Sequence, residues 1–177
     1  NENNCSMYSA LGILDEALAG SRPDVSKKLR AMREAQLDYF KEYGFDRSEG
    51  IFTQGGFYFE GTYIPARIFA ADCQTWGINA LTPQWIDGTF GAGTAYGIWQ
   101  KTKDRAGYFD DEGVLRGIGF TDGHDIHSVE WTAGAILSAK LMALHYAKDK
   151  PAWARELRRE ALSMREGLEA FKIDHAD

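Results

Sequence analysis

The chain has 177 residues, 44% of them apolar and 26% charged, and its formal net charge at pH 7 is -6. This composition is typical of one soluble globular domain spanning residues 1–177 and excludes disordered and fibrous proteins. No segment is dense in lysine or arginine, which argues against a nucleic-acid partner. Lys140 interrupts the best apolar stretch, residues 133–147, so we expect no membrane span. Cys5 and Cys73 are too few for a disulfide scaffold and are expected to be buried free thiols.

Apolar residues recur with helical spacing over the first 40 residues. Positions 7, 11, 14 and 18 predict a first helix that begins after the capping residue types Asn3 and Asn4 and ends at Gly20. Pro23 marks the start of a second helix, which has one apolar stripe and a charged opposite face. This pattern indicates an inner helix followed by an outer one.

Four further helices are predicted in two pairs. The third helix begins at about Asp72 and ends before Pro83, and the fourth, from about 89 to 102, contains glycines that suggest close backbone packing. The fifth, from about 128 to 147, is expected to be buried on most sides, and the sixth begins at Pro151 with a charged outer face. We therefore predict an all-α fold of about three helical hairpins, in which helices one, three and five form the inner layer.

Two long loops separate these hairpins. Residues 43–70 contain aromatic and β-branched runs around glycines, which predicts a small antiparallel β-hairpin within residues 50–64. The second loop, residues 103–127, carries acidic and histidine residues. Long ordered loops often serve a functional site, so both are expected to lie near one.

Three acidic residues, Glu2, Asp72 and Glu130, stand at the starts of the predicted inner helices. If these helices are parallel, their amino ends meet at one end of the fold. Cleavage of a glycosidic bond needs one carboxylic acid to protonate the leaving oxygen and a second carboxylate to activate water or to attack. We assign Glu130, which precedes Trp131, as the general acid and Asp72 or Glu2 as the general base. Acids at helix starts also serve as caps, and that interpretation stays open.

Side chains that contact a sugar are expected beside these acids, because aromatic faces pack on the apolar side of a pyranose. Trp76 and Trp99 also suit a packed position between helices, since aromatic clusters are more often core than platform. The predicted substrate-binding residues are Trp76, Trp131, Tyr58, Tyr63, Phe57, Gln74, Asn3 and His127.

Two polar segments in the second loop are candidate metal sites. Residues 110–112 lack the alternating ligands and central glycine of a calcium loop, which favours a solvated turn. His124 and His127 lie close to Asp122 and Asp125 in sequence, but no third ligand is evident, which favours a polar loop over a zinc site. We expect no metal and no other cofactor.

The starts of the inner helices resemble those of a known superfamily. Segments 2–4 (ENN), 72–76 (DCQTW) and 130–135 (EWTAGA) together resemble the bacterial six-hairpin glycosidase-like proteins of the (α/α)6 toroid class, and the layout matches over nearly the whole chain. The resemblance implies a toroid of inner and outer helices with a cleft at one mouth, where oligo- or polysaccharides are processed, usually with inversion. It implies that Glu2, Asp72 and Glu130 line this mouth, and it favours a periplasmic or secreted location.

Three hairpins make half of such a ring. A full ring at this spacing needs roughly twice the residues, so the options are the C-terminal half of a larger enzyme, a nicked product or a half-toroid that dimerises. Residues 1–4 carry neither an initiator methionine nor a signal-peptide pattern, and we expect a processed or truncated start. A half-ring exposes the apolar flanks of helices one and six, which predicts association. The expected partners are a saccharide and the missing half or a homodimer partner.

Two alternative functions stay open beside the glycoside hydrolase. One is a non-catalytic glycan-binding helical module in which the acids are caps. The other is a uronate lyase or sugar epimerase, which abstracts a proton with histidine or tyrosine. The residues for that chemistry are His124, His127, Tyr58 and Tyr63, with Arg67 or Arg116 neutralising a carboxylate.

Overall fold

The computed structural model describes residues 1–66, 68–124 and 127–174. Residues 171–174 are described as backbone only. Arg67 and Asp125, both named above as candidates near the site, lie outside the described residues. The described ranges form a mostly helical chain with seven α-helices and three two-stranded antiparallel sheets. None of the helices in these ranges has the length and apolar content that a membrane crossing requires.

The first helical pair is confirmed, but its first helix begins earlier than predicted, with Asn1 as the N-cap, so Asn3 and Asn4 lie within the helix and are not its caps. The pair consists of α1 (Glu2–Leu18) and α2 (Pro23–Tyr39), and α2 continues into a π-helical turn (Phe40–Gly44). The two helices approach closely at Gly12, because a β-carbon there would touch the guanidinium group of Arg33. Gly12 therefore leaves room for the guanidinium group of Arg33 to lie against the helix.

Three antiparallel β-hairpins lie between the helices. The hairpin predicted within residues 50–64 is confirmed as β3–β4. The sequence does not predict the other two hairpins. The strands of the first, β1–β2, have only two residues each, and the pairing of the third, β5–β6, has a register shift next to Tyr108, so neither shows a regular strand pattern. The strands are β1 (Phe45–Asp46), β2 (Ile51–Phe52), β3 (Gly56–Phe59), β4 (Thr62–Pro65), β5 (Gly107–Phe109) and β6 (Leu115–Ile118).

The predicted fourth helix, residues 89–102, is wrong in its bounds. The structure has two helices there, α4 (Pro83–Phe90) and α5 (Thr94–Ala106). Gly91 and Gly93 separate them with φ angles of 118° and 87°, which residues with a β-carbon rarely adopt. These glycines therefore end one helix and start the next.

The third helix, α3 (Ala71–Leu81), lies at the centre of the fold. It packs against α1 on one side and against α6 (Val129–His145) on the other, while α5 also contacts it. The last helix, α7 (Pro151–Asp174), packs along α6. Ile78 of α3 and Trp99 of α5 are completely buried, so the prediction of a packed Trp99 is confirmed.

The amino ends of α1, α3 and α6 lie at the same end of the fold. Near the start of α3, the thiol of Cys73 lies close to the first residues of α1, since the amino terminus and Glu2 both lower its pKa against the larger effect of burial. The backbone N–H of Ala71 donates to the carbonyl of Phe120, at 3.0 Å. Two residues before Phe120, the last carbonyl of β6 accepts from the N–H of Ser128, which is the N-cap of α6. These contacts hold the starts of the three helices together.

Two of the helices predicted to be inner, α1 and α6, are less buried than expected. The expectation that α6 is buried on most sides is wrong, since Val129, Leu137 and Leu144 are exposed, the last of them by 71%. Met7 and Leu14 of α1 are each 48% exposed. One side of α1 and one side of α6 therefore lack a packing partner within the described part of the chain, whereas no residue of α3 is exposed.

Asp87 connects the end of α4 with α5 and α6. Its carboxylate accepts hydrogen bonds from the N–H groups of Gly93 and Ala95, at 3.0 and 2.9 Å, where α5 begins. It also accepts from the hydroxyl of Tyr146, at 2.7 Å, just after α6. A carboxylate that caps one helix and holds another contributes directly to stability.

We expect Asp87→Ala to lower the free energy of unfolding by about 2 to 4 kcal/mol, because Gly93, Ala95 and Tyr146 lose their hydrogen-bond acceptor and the imidazole of His145 loses its partner. Urea denaturation followed by circular dichroism measures this loss. Asp104→Ala is the matched control, since Asp104 is exposed on α5 and its removal should cost less than about 0.5 kcal/mol. Equal losses for the two variants would contradict the proposed role of Asp87.

Candidate functional site

A cleft of about 310 Å³ lies over α3, between α1 and α6. Ser6 and Ser9 of α1 form one wall, and Leu137 of α6 forms the other. Trp76 and Asn79 of α3 line the cleft between them. The two serines leave space that larger side chains would fill, and the cleft therefore combines hydroxyl, amide and aromatic groups.

The three predicted acids share helix faces with residues that line this cleft. Residues four or seven positions apart share a helix face. Each acid precedes a cleft-lining residue by such a spacing: Glu2 before Ser6, Asp72 before Trp76, and Glu130 before Leu137. The acids themselves are not among the residues that line the cleft, and they stand in the first turns of helices whose amino ends lie together.

Glu2 and Asp72 lie close to the same pair of thiols. Burial, the neighbouring Cys73 and the negative charges of Asp72 and Glu2 raise the pKa of the Cys5 thiol to about 12. Burial also raises the pKa of Cys73, to about 11. Both cysteines are buried and free, as the sequence predicts. The Asp72 carboxylate also accepts a hydrogen bond from the backbone N–H of Cys73, at 2.6 Å.

Glu130 lies in the first turn of α6, but it does not supply the cap. The hydroxyl of Ser128 accepts the N–H of Trp131 and so performs that role. The side chain of Glu130 is exposed, whereas a general acid normally needs apolar burial to raise its pKa. The ring of Trp131 lies 6.0 Å from that of Phe120. The expected apolar surroundings of Glu130 are therefore not provided by the described residues.

Gln74 has a structural position. Its side chain is completely buried. The amide nitrogen donates to the carbonyls of Phe52 and Ala70, at 2.8 and 3.1 Å, and the amide oxygen accepts the N–H of Phe52 at 2.8 Å. Gln74 thus holds β2 against α3, and its side chain is not placed to reach a ligand.

Asn3 and His127, two other predicted binding residues, lie away from the cleft. Asn3 is exposed and shares a helix face with Met7, on the flank of α1. His127 stacks on Tyr108, with ring centroids 5.2 Å apart and an angle of 14° between the rings. It lines a separate cavity between the β5–β6 hairpin and α7. Burial lowers the pKa of the His127 imidazole.

The predicted aromatic residues of the β3–β4 hairpin are divided between its two faces. Asn1, next to the start of α1, donates its side-chain amide to the backbone just before this hairpin. Tyr58 and Tyr63 face Tyr43, whose ring centroid is 6.1 and 4.8 Å from theirs. Phe57 alternates to the opposite face and is 59% exposed. The hairpin therefore presents the exposed rings of Phe57 and Phe59 on one face and, on the other, tyrosine rings in contact with one another, of which Tyr58 is itself 61% exposed.

Several cleft residues are missing from the sequence prediction. Ser6, Asn79 and Leu137 have no distinctive motif, and only their helical spacing from the three acids could have identified them. Asn79 donates to the carbonyl of Gly134 at 3.1 Å and accepts from the hydroxyl of Ser138 at 2.8 Å. It therefore joins α3 to α6 where both helices line the cleft.

Arg116 is already balanced by two carboxylates. Its Nε donates to Asp110 at 2.7 Å, and its Nη1 donates to Glu166 at 3.0 Å. Hydrogen bonds from the N–H of Val114 and from Arg116 lower the pKa of Asp110. The guanidinium group thus has little positive charge left to neutralise an acidic substrate.

Within the described ranges, no group of three or more histidine, cysteine, aspartate or glutamate residues is arranged to hold a metal ion. No protein-family model matches the chain. No curated protein and no solved structure is significantly similar to it. The geometry of the cleft is therefore the basis for assigning a function.

The burial of His127 predicts a loss of stability on the acid side of neutrality. Its folded-state pKa lies below the value of about 6.5 for a free imidazole, so the unfolded chain binds more protons as the pH falls. Protonation of His127 therefore does not affect the free energy of unfolding above about pH 6.5. The free energy of unfolding decreases as the pH falls from there toward the folded-state pKa.

An NMR titration of the His127 imidazole tests this directly. The folded protein should show a midpoint below about 6.5, and the protein in urea should show one near that value. A folded-state midpoint equal to or above the unfolded one would contradict the effect of burial.

Proposed function

We propose that this protein is a carbohydrate-active hydrolase that cleaves glycosidic bonds of an oligo- or polysaccharide by carboxylate acid–base catalysis. The supporting observation is that Glu2, Asp72 and Glu130 come from three distant segments and stand in the first turns of helices whose amino ends lie together. The helix dipole favours an acid in the first turn of any helix. A set of such acids at neighbouring helix starts also matches a reaction that needs two carboxyl groups.

The three acids have different roles in this proposal. Glu130 donates its proton to the glycosidic oxygen as the bond to the anomeric carbon breaks. Asp72 or Glu2 accepts a proton from a water molecule, whose oxygen bonds to that carbon.

The walls of the cleft are suited to a saccharide. The ring of Trp76 and the side chain of Leu137 provide apolar surfaces for the C–H groups of a sugar. Ser6, Ser9 and Asn79 provide hydroxyl and amide groups for its hydroxyls. The geometry gives less support to a uronate lyase, because Arg116 is balanced by two carboxylates.

We also propose that α1, α3 and α6 belong to the inner layer of an (α/α) toroid. Met7 and Leu14 lie on the side of α1 opposite Cys5, which is buried in the core. Leu144 is exposed on α6, on the same helix face as Leu137 and two turns beyond it. Additional inner helices, here taken to be those of a second copy, cover these side chains and close the cleft.

Substitution of the acids tests the catalytic proposal. Glu130→Gln and Asp72→Asn should each lower the release of reducing sugar from the best substrate in a panel of glucans, mannans and uronates by about a hundredfold or more. Glu34→Gln is the control, since Glu34 is exposed on α2, and it should have no effect. Full activity in Glu130→Gln would remove this residue from the mechanism. A product that absorbs in the ultraviolet would identify a lyase instead.

The native mass tests the proposed ring. We expect a mass about twice the 19.8 kDa of the chain, measured by light scattering after size-exclusion chromatography. Leu144→Glu should shift the protein to the monomer by placing a charge in the interface. Leu162→Glu is the control, because Leu162 is exposed on α7 in the outer layer. A monomer before substitution would contradict a ring made of two copies.

A further inference from the structure

A second cavity, of about 460 Å³, lies between the β5–β6 hairpin and the last turns of α7. It shares no lining residue with the cleft over α3. On the α7 side the lining consists of Glu166 and two small residues, Gly167 and Ala170. A β-carbon on Gly167 would clash with the carbonyl oxygen of Arg116, so the helix backbone touches β6 directly. The cavity therefore depends on small residues that bring two backbones together and leave room beside them.

The polar part of this cavity is an ion network with spare hydrogen-bonding capacity. Arg116 uses Nε and Nη1 to bind Asp110 and Glu166, and a guanidinium group has five N–H donors. Its side chain is 31% exposed, and that of Glu166 is 51% exposed. A carboxylate accepts several hydrogen bonds. Donors and acceptors are thus both available to a bound hydroxylated molecule.

The opposite wall of the cavity is aromatic. Tyr108 and His127 both line it and are stacked nearly parallel. A β-carbon on Gly117 would overlap the imidazole ring, so the ring lies directly against β6. Burial lowers the pKa of His127, and the ring is neutral at pH 7. This wall contributes apolar surface without charge.

We propose that this cavity binds one neutral sugar unit of an oligosaccharide. Polar groups on one side and an aromatic wall on the other match the hydroxyl groups and the apolar face of a pyranose. Asp110 and Glu166 outnumber the single guanidinium of Arg116, so the lining has a net negative charge that disfavours uronates. The choice of a saccharide as ligand rests on the proposed function.

The position of the cavity relates it to the cleft. Residue 118 at the end of β6 pairs with Ser128, the N-cap of α6, and Glu130 follows in the first turn of that helix. The cavity therefore lies at the end of α6 that also carries the proposed general acid. A chain of sugar units held here extends toward the same end of the fold as the cleft, which gives the cavity a role in positioning long substrates.

Binding is measured in the full chain carrying Glu130→Gln, so that hydrolysis does not interfere. The probes are cellotetraose, mannotetraose, xylotetraose and tetragalacturonate, each titrated by calorimetry and by NMR of the His127 imidazole. At least one neutral tetrasaccharide should bind and shift the His127 signal. Tetragalacturonate should bind at least about tenfold more weakly than the best neutral probe.

Ala170→Trp fills the exposed mouth of the cavity without removing a hydrogen bond, and it should weaken binding of the neutral probe by about tenfold or more. Tyr108→Ala should weaken it as well by removing the aromatic wall. Ala152→Trp is the matched control, because Ala152 is exposed at the other end of α7. Because Ala170 is exposed, Ala170→Trp should not disturb the fold. It therefore tests binding even if Tyr108→Ala does not fold.

Three results would overturn the proposal: no shift of His127 with any neutral probe, tighter binding of tetragalacturonate, or unchanged affinity in Ala170→Trp. These outcomes are distinct from a failure of the proposed hydrolase. That failure is detected as absent hydrolysis, or hydrolysis unaffected by Glu130→Gln, in separate assays of reducing sugar. Binding measured in the Glu130→Gln protein does not depend on whether the wild-type protein hydrolyses the substrate or on whether Glu130 takes part in hydrolysis.

Discussion

The packing of α3 between α1 and α6, with the amino ends of all three at one end of the fold, is the constraint on which the rest of the structure depends. Hydrogen bonds at the starts of the helices maintain this arrangement, including the bond from the N–H of Ala71 to the carbonyl of Phe120. Deeper in the layer, Asn79 and Ser138 join α3 to α6. The cleft follows from that arrangement, and the three acids stand in the first turns of the helices that form it.

Much of the helical framework was predictable because its signals are local. Pro23 and Pro151 begin helices where a fixed φ and a missing N–H are tolerated. The acids at the helix starts were also recognisable, and their spacing from cleft residues follows from the period of the helix alone. These features depend only on short stretches of chain, which a sequence records directly.

Other features depend on contacts between distant segments. Gly91 and Gly93 were predicted as close-packing positions within a helix, but their backbone angles place a break there. Gln74 looked available to a ligand because its motif gives no sign that Phe52 would bind both ends of its amide. The exposure of Leu144 was also missed, because an apolar helix predicts burial without showing which neighbour provides it.

The two hydrogen bonds between Gln74 and Phe52 have a mechanical consequence. The side-chain amide of Gln74 forms the two hydrogen bonds that the backbone of a neighbouring strand would otherwise form with Phe52. These bonds attach β2 to α3 through a side chain. Thr53 follows at once and is itself bound to Asn1 beside α1. The hairpin that carries Phe57 therefore has a rigid base, and thermal movement of its tip should pivot about this anchor without changing the spacing of the helices beneath it.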